Sequence, residues 1–246
     1  MQTFYSTDPG KVRSHNEDSV TIISNDYQEF VLAIADGMGG HKAGEVASSI
    51  AIEHIIKSFK KIERIGTKDD AIDWLRNIAQ EINAKIFKYA DKHPESKGLG
   101  TTLVIAIKTE DYILYGNIGD SSGFVIKNGI LHKVTKDHTY VGMLINSGQL
   151  TEETAKNHPG KNLLTRALGA NDPIDIDIFD IDRSVKGLFL CSDGLTNMLT
   201  IEQIEKILNS DLSIENAVTR LIKKANSRGG TDNISIAYLK KESGEL

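Results

Sequence analysis

Apolar residues along this chain fall into two kinds of pattern. Short runs, alternating or continuously apolar, predict β-strands over 19–24, 30–35, 102–108, 112–117, 123–127, 130–134, 174–181, 187–191 and 234–239. Asn128-Gly129, between two of these runs, fits a two-residue hairpin turn. Longer segments show helical spacing instead. Over 43–59, Val46, Ala47, Ile50, Ala51, Ile55 and Phe59 form one stripe. Over 70–89 the stripe is Ala71, Trp74, Leu75, Ile78, Ile82, Ile86 and Tyr89, which places Trp74 in the core. Segments 200–208 and 213–225 repeat the pattern. Residues 138–169 fit no strand and are expected to form a short helical insertion, with Thr151-Glu152-Glu153 as a helix start.

Short connections between many strands favour antiparallel pairing, because parallel pairs need long crossovers. Strands and helices come in groups. That order predicts an α+β fold, a four-layer α-β-β-α sandwich of two antiparallel sheets with helices on the outer faces. No internal repeat or linker-like tract divides the chain, so residues 1–246 are expected to form a single domain.

Composition narrows the setting. With 39% apolar and 26% charged residues the chain reads as an ordinary soluble protein. It has no apolar run long enough for a membrane span, and its first residues lack the apolar core of a signal peptide. Cys191 is the single cysteine, which excludes an internal disulfide framework and suits a reducing compartment, so a cytoplasmic location is expected. A net charge of −5 and the lack of basic–aromatic runs argue against nucleic acid as a partner. An anionic substrate would then need local help, from a metal or a well-placed Arg.

The candidate chemistry lies at the strand ends. Asp18 precedes the first predicted strand, Asp36 follows the second, Asp120 and Asp193 follow later ones, and Asp232 precedes the last. Alternating strand directions would let all five converge on one edge. Several unpaired carboxylates there would repel one another by several kcal/mol at low dielectric, and divalent cations remove that penalty. All-oxygen ligands suit Mg²⁺ or Mn²⁺. The segment Ala35-Asp-Gly-Met-Gly-Gly-His41 shows the ambiguity: its glycines suggest a phosphate cradle, whereas Asp36 would repel a phosphate. A single Asp-Gly is usually a turn or cap, but Asp36-Gly37 and Asp193-Gly194 both directly follow apolar strands.

Arg13-Ser-His-Asn-Glu-Asp18, Ala35-Asp-Gly-Met-Gly-Gly-His41, Gly100-Thr-Thr102, Gly119-Asp-Ser121, Leu164-Thr-Arg-Ala-Leu-Gly169, Ser192-Asp-Gly-Leu195 and Gly230-Thr-Asp-Asn233 occur in that order. This ordered set resembles the PPM family, the metal-dependent (type 2C) Ser/Thr protein phosphatases, in its compact bacterial form. The resemblance implies a β-sandwich with helices outside, and two Mn²⁺ or Mg²⁺ ions bridged by Asp36 and the Gly37 carbonyl. Asp18, Asp193 and Asp232 would complete that set, Glu17 would act through a metal-bound water, and Asp120 with Asp193 would form a weaker third site. Arg13 would bind two phosphate oxygens with its planar fork.

The implied reaction is direct attack on phosphorus by a hydroxide bridging two cations about 4 Å apart. Such a reaction needs no covalent phosphoenzyme. The implied partners are phosphorylated proteins and an opposing Ser/Thr kinase, the protein acting as a monomer, with 138–169 as a flap beside the site. A catalytically silent phosphoprotein-binding relative is the alternative, although such relatives usually lose metal aspartates that are all present here. Two departures stand out. Many eukaryotic relatives carry His directly after the first Asp-Gly, where this chain has Met38, which leaves His41 as the candidate proton donor to the leaving group, or else a helix cap. Relatives usually place Arg after Gly-Asp-Ser, where this chain has Ser122.

Other chemistries fit less well. A cysteine phosphatase needs Arg six positions after its nucleophile, and Asn197 stands there relative to Cys191, so Cys191 is expected to be a small buried residue. The Asp/Ile alternation over 175–182 fits a half-exposed strand whose charges discourage edge pairing. His15, His54, His93, His132 and His158 lack zinc-site spacing.

Overall fold

The computed structural model describes residues 1–39, 43–96, 98–155 and 158–241. Strands β1 (Gln2–Asp8), β2 (Asp18–Ser24) and β3 (Phe30–Met38) lead into helices α1 (Ala43–Phe59) and α2 (Lys68–Lys92). Next come β4 (Gly100–Thr101), β5 (Leu103–Lys108), β6 (Ile113–Ile118), β7 (Ser122–Lys127) and β8 (Ile130–Lys133). Short helices α3 (Tyr140–Asn146) and α4 (Glu152–Ala155) precede β9 (Asp177–Ile181) and β10 (Gly187–Cys191). The last elements are α5 (Asp193–Thr196), α6 (Ile201–Leu208), α7 (Ile214–Ser227) and β11 (Ile234–Lys240).

One sheet has the order β1-β11-β10-β7-β8 and the other β2-β3-β5-β6-β9, with β4 added to the end of β3. All pairings are antiparallel. Three apolar layers hold four layers of structure together. Leu32, Ile34, Val104 and Tyr115 meet Val125, Leu188, Leu190 and Leu239 between the sheets. Val31, Ala33, Ala35, Leu103 and Ile105 face the other way, against Ala47, Ile55, Leu75, Ile78 and Ile82 of α1 and α2. Phe124, Phe189, Ile236 and Tyr238 pack on Ile204, Val218 and Leu221 of α6 and α7. Strand β3 is therefore buried on both faces, which is why Phe30 to Ala35 is continuously apolar rather than alternating. Each such side chain removed from water contributes roughly 1.5–3 kcal/mol before chain entropy is counted.

Local signals match the elements. Asn128 and Gly129 both have positive φ (53° and 77°), as the hairpin turn between β7 and β8 requires. Thr67 and Asp70 form a reciprocal capping box at the start of α2. Trp74 is half-buried against the α1/α2 core, its Nε1 donating to Ser58 Oγ at 3.1 Å. Cys191 is fully buried, and β9, which reads Asp-Ile-Phe-Asp-Ile, is a half-exposed edge strand.

Three features differ from expectation. Strand β1 has no counterpart among the predicted strands, because its mostly polar residues form a partly exposed edge held by full-length pairing to β11. Strand β3 runs on through Met38, because Gly37 and Met38 pair with Thr101 and Gly100. Residues 174–176 lie outside β9, and Ile174 and Ile176 are buried against the α2 layer instead.

Candidate active site

The β2–β3 hairpin places Asp18 and Asp36 directly opposite each other. The Gly100-Thr-Thr102 motif fixes the second of these. Asp36 N–H donates to Thr102 Oγ1 (3.0 Å), and Asp36 O accepts from Thr102 N–H and Thr101 Oγ1, both at 2.9 Å. Thr102 Oγ1 also pairs with Ser121 Oγ at 2.9 Å, tying this end of β3 to the loop that carries Asp120. Asp18 is fixed from the opposite sheet, where Ser192 Oγ donates to its Oδ2 at 2.8 Å.

That opposite sheet contributes the remaining acids. Asp193 opens α5 directly after β10, and Asp232 lies just before β11. Asn233 anchors the loop before β2: its Oδ1 accepts from Glu17 N–H (2.8 Å), and its Nδ2 donates to the carbonyls of Pro9 and His15. The two Asp-Gly glycines serve close approach rather than turning. A Cβ at Gly37 would lie 2.1 Å from Gly44 O, and one at Gly194 would lie 2.0 Å from Asn233 O. Only glycine lets these backbones touch.

Arg13, Glu17, Asp36, Gly37, Asp120, Asp193 and Asp232 line one cavity of about 490 Å³ at this end of the sandwich, and residues 162–167 line it too. Asp18 lies behind its wall, 6% exposed, and its Oδ1 has no hydrogen-bond partner. Burial pushes Asp18 up to about 7, with hydrogen bonding from Ser235 and Ser192 opposing and the charges of Asp193 and Asp232 adding to it. Burial also raises Asp120 to about 7, helped by Asp193, and Asp193 to about 6, helped by Asp232. Asp36 goes well above the usual carboxylate range through burial and then the charges of Asp18, Asp193, Asp120 and Asp232. Glu17 is raised by desolvation. Arg13 is bonded directly to this group, its Nη2 donating to Asp232 Oδ2 at 2.8 Å, and Arg166 lines the same cavity.

Carboxylates this mutually repelled, one with an orphaned buried oxygen, fit hard divalent cations with all-oxygen ligands. Among the described residues no three such side chains already close into a ligand cage. The structure shows a shared edge and a shared electrostatic penalty.

The sequence model of the family described as protein phosphatase 2C matches residues 11–233. The chain belongs to that family. The serine/threonine phosphatase stp of Listeria monocytogenes is 38% identical to this protein phosphatase 2C member over 243 residues, covering 98% of this chain and 96% of that one. Protein phosphatase PhpP of Streptococcus pneumoniae is 34% identical over 240 residues, 97% of each chain. Among solved structures, the S. agalactiae serine/threonine phosphatase matches with a TM-score of 0.93 at 33% identity, covering 98% of this chain and 99% of that one. One from Staphylococcus aureus gives 0.91 at 34%, covering 98% and 95%. The four-layer sandwich is thus the fold of this family.

The cavity of this protein phosphatase 2C member gathers every described residue singled out as a site candidate except Asp18, which supports its wall. His41 lies outside the described residues. Met38 lines the cavity, and its thioether carries no proton to give. Ser122 is buried beside an adjoining cavity of about 470 Å³ that also touches Asp120, Asp137 and Asp193. There Lys133 Nζ donates to both oxygens of Asp137 at 2.7 Å, so a local ion pair exists without an Arg at 122.

Sequence patterns did not reveal the supporting roles of Ser192, Thr102 and Asn233, although each sits inside a quoted motif. His138 and Asp177 were missed as a pair. His138 Nε2 lies 3.1 Å from Asp177 Oδ2, and nothing in their spacing of 39 residues signals that contact.

Proposed function

We propose that this protein removes phosphate from phosphoserine and phosphothreonine in other proteins with the help of Mn²⁺ or Mg²⁺. Asp18, Asp36, the Gly37 carbonyl, Asp193 and Asp232 would hold two cations, and Asp120 with Asp193 a weaker third. The observation that carries this reading is the convergence of four aspartates from both sheets on one cavity that also holds Arg13, with a fifth, Asp18, buried beside them opposite Asp36. When bound, the cations supply Lewis-acid activation of a water and neutralise charge on the phosphoryl oxygens.

The chain's own residues do the rest. Arg13 has five N–H donors and spends one on Asp232, which leaves others free to fork onto two phosphate oxygens. Thr101, Thr102 and Ser192 hold Asp36 and Asp18 in place before substrate arrives, so little reorganisation accompanies the reaction. The leaving Ser or Thr oxygen needs a proton, which comes from His41 or from water, since Met38 cannot supply it. Residues 138–169 act as a flap whose 162–167 portion lines the same cavity as the acids. The substrate must come from a reaction that phosphorylates protein hydroxyls, that is, from a Ser/Thr kinase. A silent binding relative has no observation in its favour, since none of the carboxylates is lost.

The test is hydrolysis of a phosphothreonine peptide and of p-nitrophenyl phosphate by purified protein. Millimolar Mn²⁺ should support turnover of both and excess EDTA should abolish it. Absence of turnover on either substrate with Mn²⁺ present would overturn the proposal.

A further inference from the structure

The excursion between β8 and β9 leaves the sandwich at His138 and returns near Arg166, and both ends meet one side chain. His138 Nε2 lies 3.1 Å from Asp177 Oδ2, and Arg166 Nη1 donates to Asp177 Oδ1 at 2.6 Å. Each oxygen of Asp177 therefore holds one end. The ends also touch each other, since Thr165 N–H donates to His138 O at 2.8 Å.

His138 has a second attachment that does not involve Asp177. Its Nδ1 accepts from Gly119 N–H (3.1 Å) and its N–H donates to Gly119 O (2.9 Å), beside Asp120. An accepting Nδ1 puts the ring proton on Nε2, so a neutral imidazole donates to Asp177. Although burial alone would raise Asp177, hydrogen bonds from Arg166 and His138 outweigh it and hold the carboxyl below its usual range, ionised at neutral pH.

We propose that Asp177 is a positioning residue that clasps both ends of the 138–169 excursion and so sets the wall at 162–167 against the acidic centre. This rests on the phosphatase reading above and adds a specificity role to it. A phosphopeptide extends past its phosphate and must lie against that wall. A small aryl phosphate needs little beyond the acids and Arg13. Losing Asp177 loosens the wall, which keeps its backbone bonds from Thr165 to His138 and between Leu168 and Thr101, while the two His138–Gly119 hydrogen bonds keep the acidic centre anchored. Asparagine, close to Asp in shape, has only one acceptor oxygen and can serve one end at most.

The experiment compares wild type with Asp177→Asn and Asp177→Ala, each loaded with Mn²⁺. KM for a phosphothreonine peptide should rise about 10-fold in both variants, while kcat/KM for p-nitrophenyl phosphate stays within about twofold. Amide hydrogen exchange over 140–155 and 158–169 should quicken at least about threefold in both variants, a readout independent of turnover. Equal effects on the two substrates, no change on the peptide, or unaltered exchange would each overturn the clasp. A wild-type protein without phosphatase activity would sink the functional reading instead, and the exchange measurement would still decide the clasp.

Discussion

Asp18 and Asp36 stand directly opposite each other across the β2–β3 hairpin, at the one end of the sandwich where Asp120, Asp193 and Asp232 also gather. A cross-strand pair of like charges is destabilising on its own. Here it is compounded by burial, which lifts Asp18 and Asp120 to about 7 and Asp193 to about 6.

That relationship fixes a pH dependence. In the unfolded chain these groups titrate near their ordinary value of about 4, so between pH 4 and 7 the metal-free folded protein binds more protons than the unfolded one. Their contribution to stability is present at low pH and lost as pH rises through about 6 to 7. Divalent cations should stabilise most where the acids are ionised. Thermal unfolding is expected to show a larger Mn²⁺-induced rise in Tm at pH 8 than at pH 5. An equal rise at both pH values would contradict the account.

Arg13 is held by Asp232 but faces the cavity. Replacing it with Ala removes charge-assisted hydrogen bonds to phosphate, each worth roughly 1.5–3 kcal/mol, so KM for p-nitrophenyl phosphate should rise about 10-fold or more. Mn²⁺ affinity, measured by calorimetry, should not fall, because Arg13→Ala takes a competing cation away from Asp232. A drop in Mn²⁺ affinity without a change in KM would reassign Arg13 to the metal site.

Gly194→Ala is a structural test of the same edge. Its Cβ would lie 2.0 Å from Asn233 O, so α5 and the start of β11 must part. Overpacking of this kind typically costs about 1–3 kcal/mol. For a chain of this size that corresponds to a fall in Tm of roughly 2–12 °C. An unshifted Tm would show that these backbones tolerate separation.

Thr102→Val keeps the side-chain volume but leaves Asp36 N–H without its hydroxyl acceptor and breaks the link to Ser121. An unsatisfied buried donor costs about 1–3 kcal/mol. Turnover should fall with stability, since Asp36 loses its anchor. Full activity in Thr102→Val would mean that the backbone contacts alone position Asp36.

The sequence makes much of this legible because its signals are local. The doubly buried strand from Phe30, the stripes of α1 and α2, and the Asn128-Gly129 turn all follow from neighbours in the chain. Acids at strand ends could be placed on one edge once strand direction was inferred. Long-range effects were not legible. Strand β1 is polar and becomes a strand only through β11, and the last residues of β3 are strand only because they pair with β4. Ser192, Thr102 and Asp177 act on groups 174, 66 and 39 residues away, and no spacing rule reports such contacts.

Diffraction from crystals grown with Mn²⁺, recorded for its anomalous signal, tests the central claim most directly. The account predicts strong peaks within metal–oxygen distance, about 2.0–2.3 Å, of the Asp36 carboxylate and the Gly37 carbonyl, absent from Asp36→Asn crystals. Wild-type crystals with no anomalous density at this edge, in a protein still active with Mn²⁺, would contradict it.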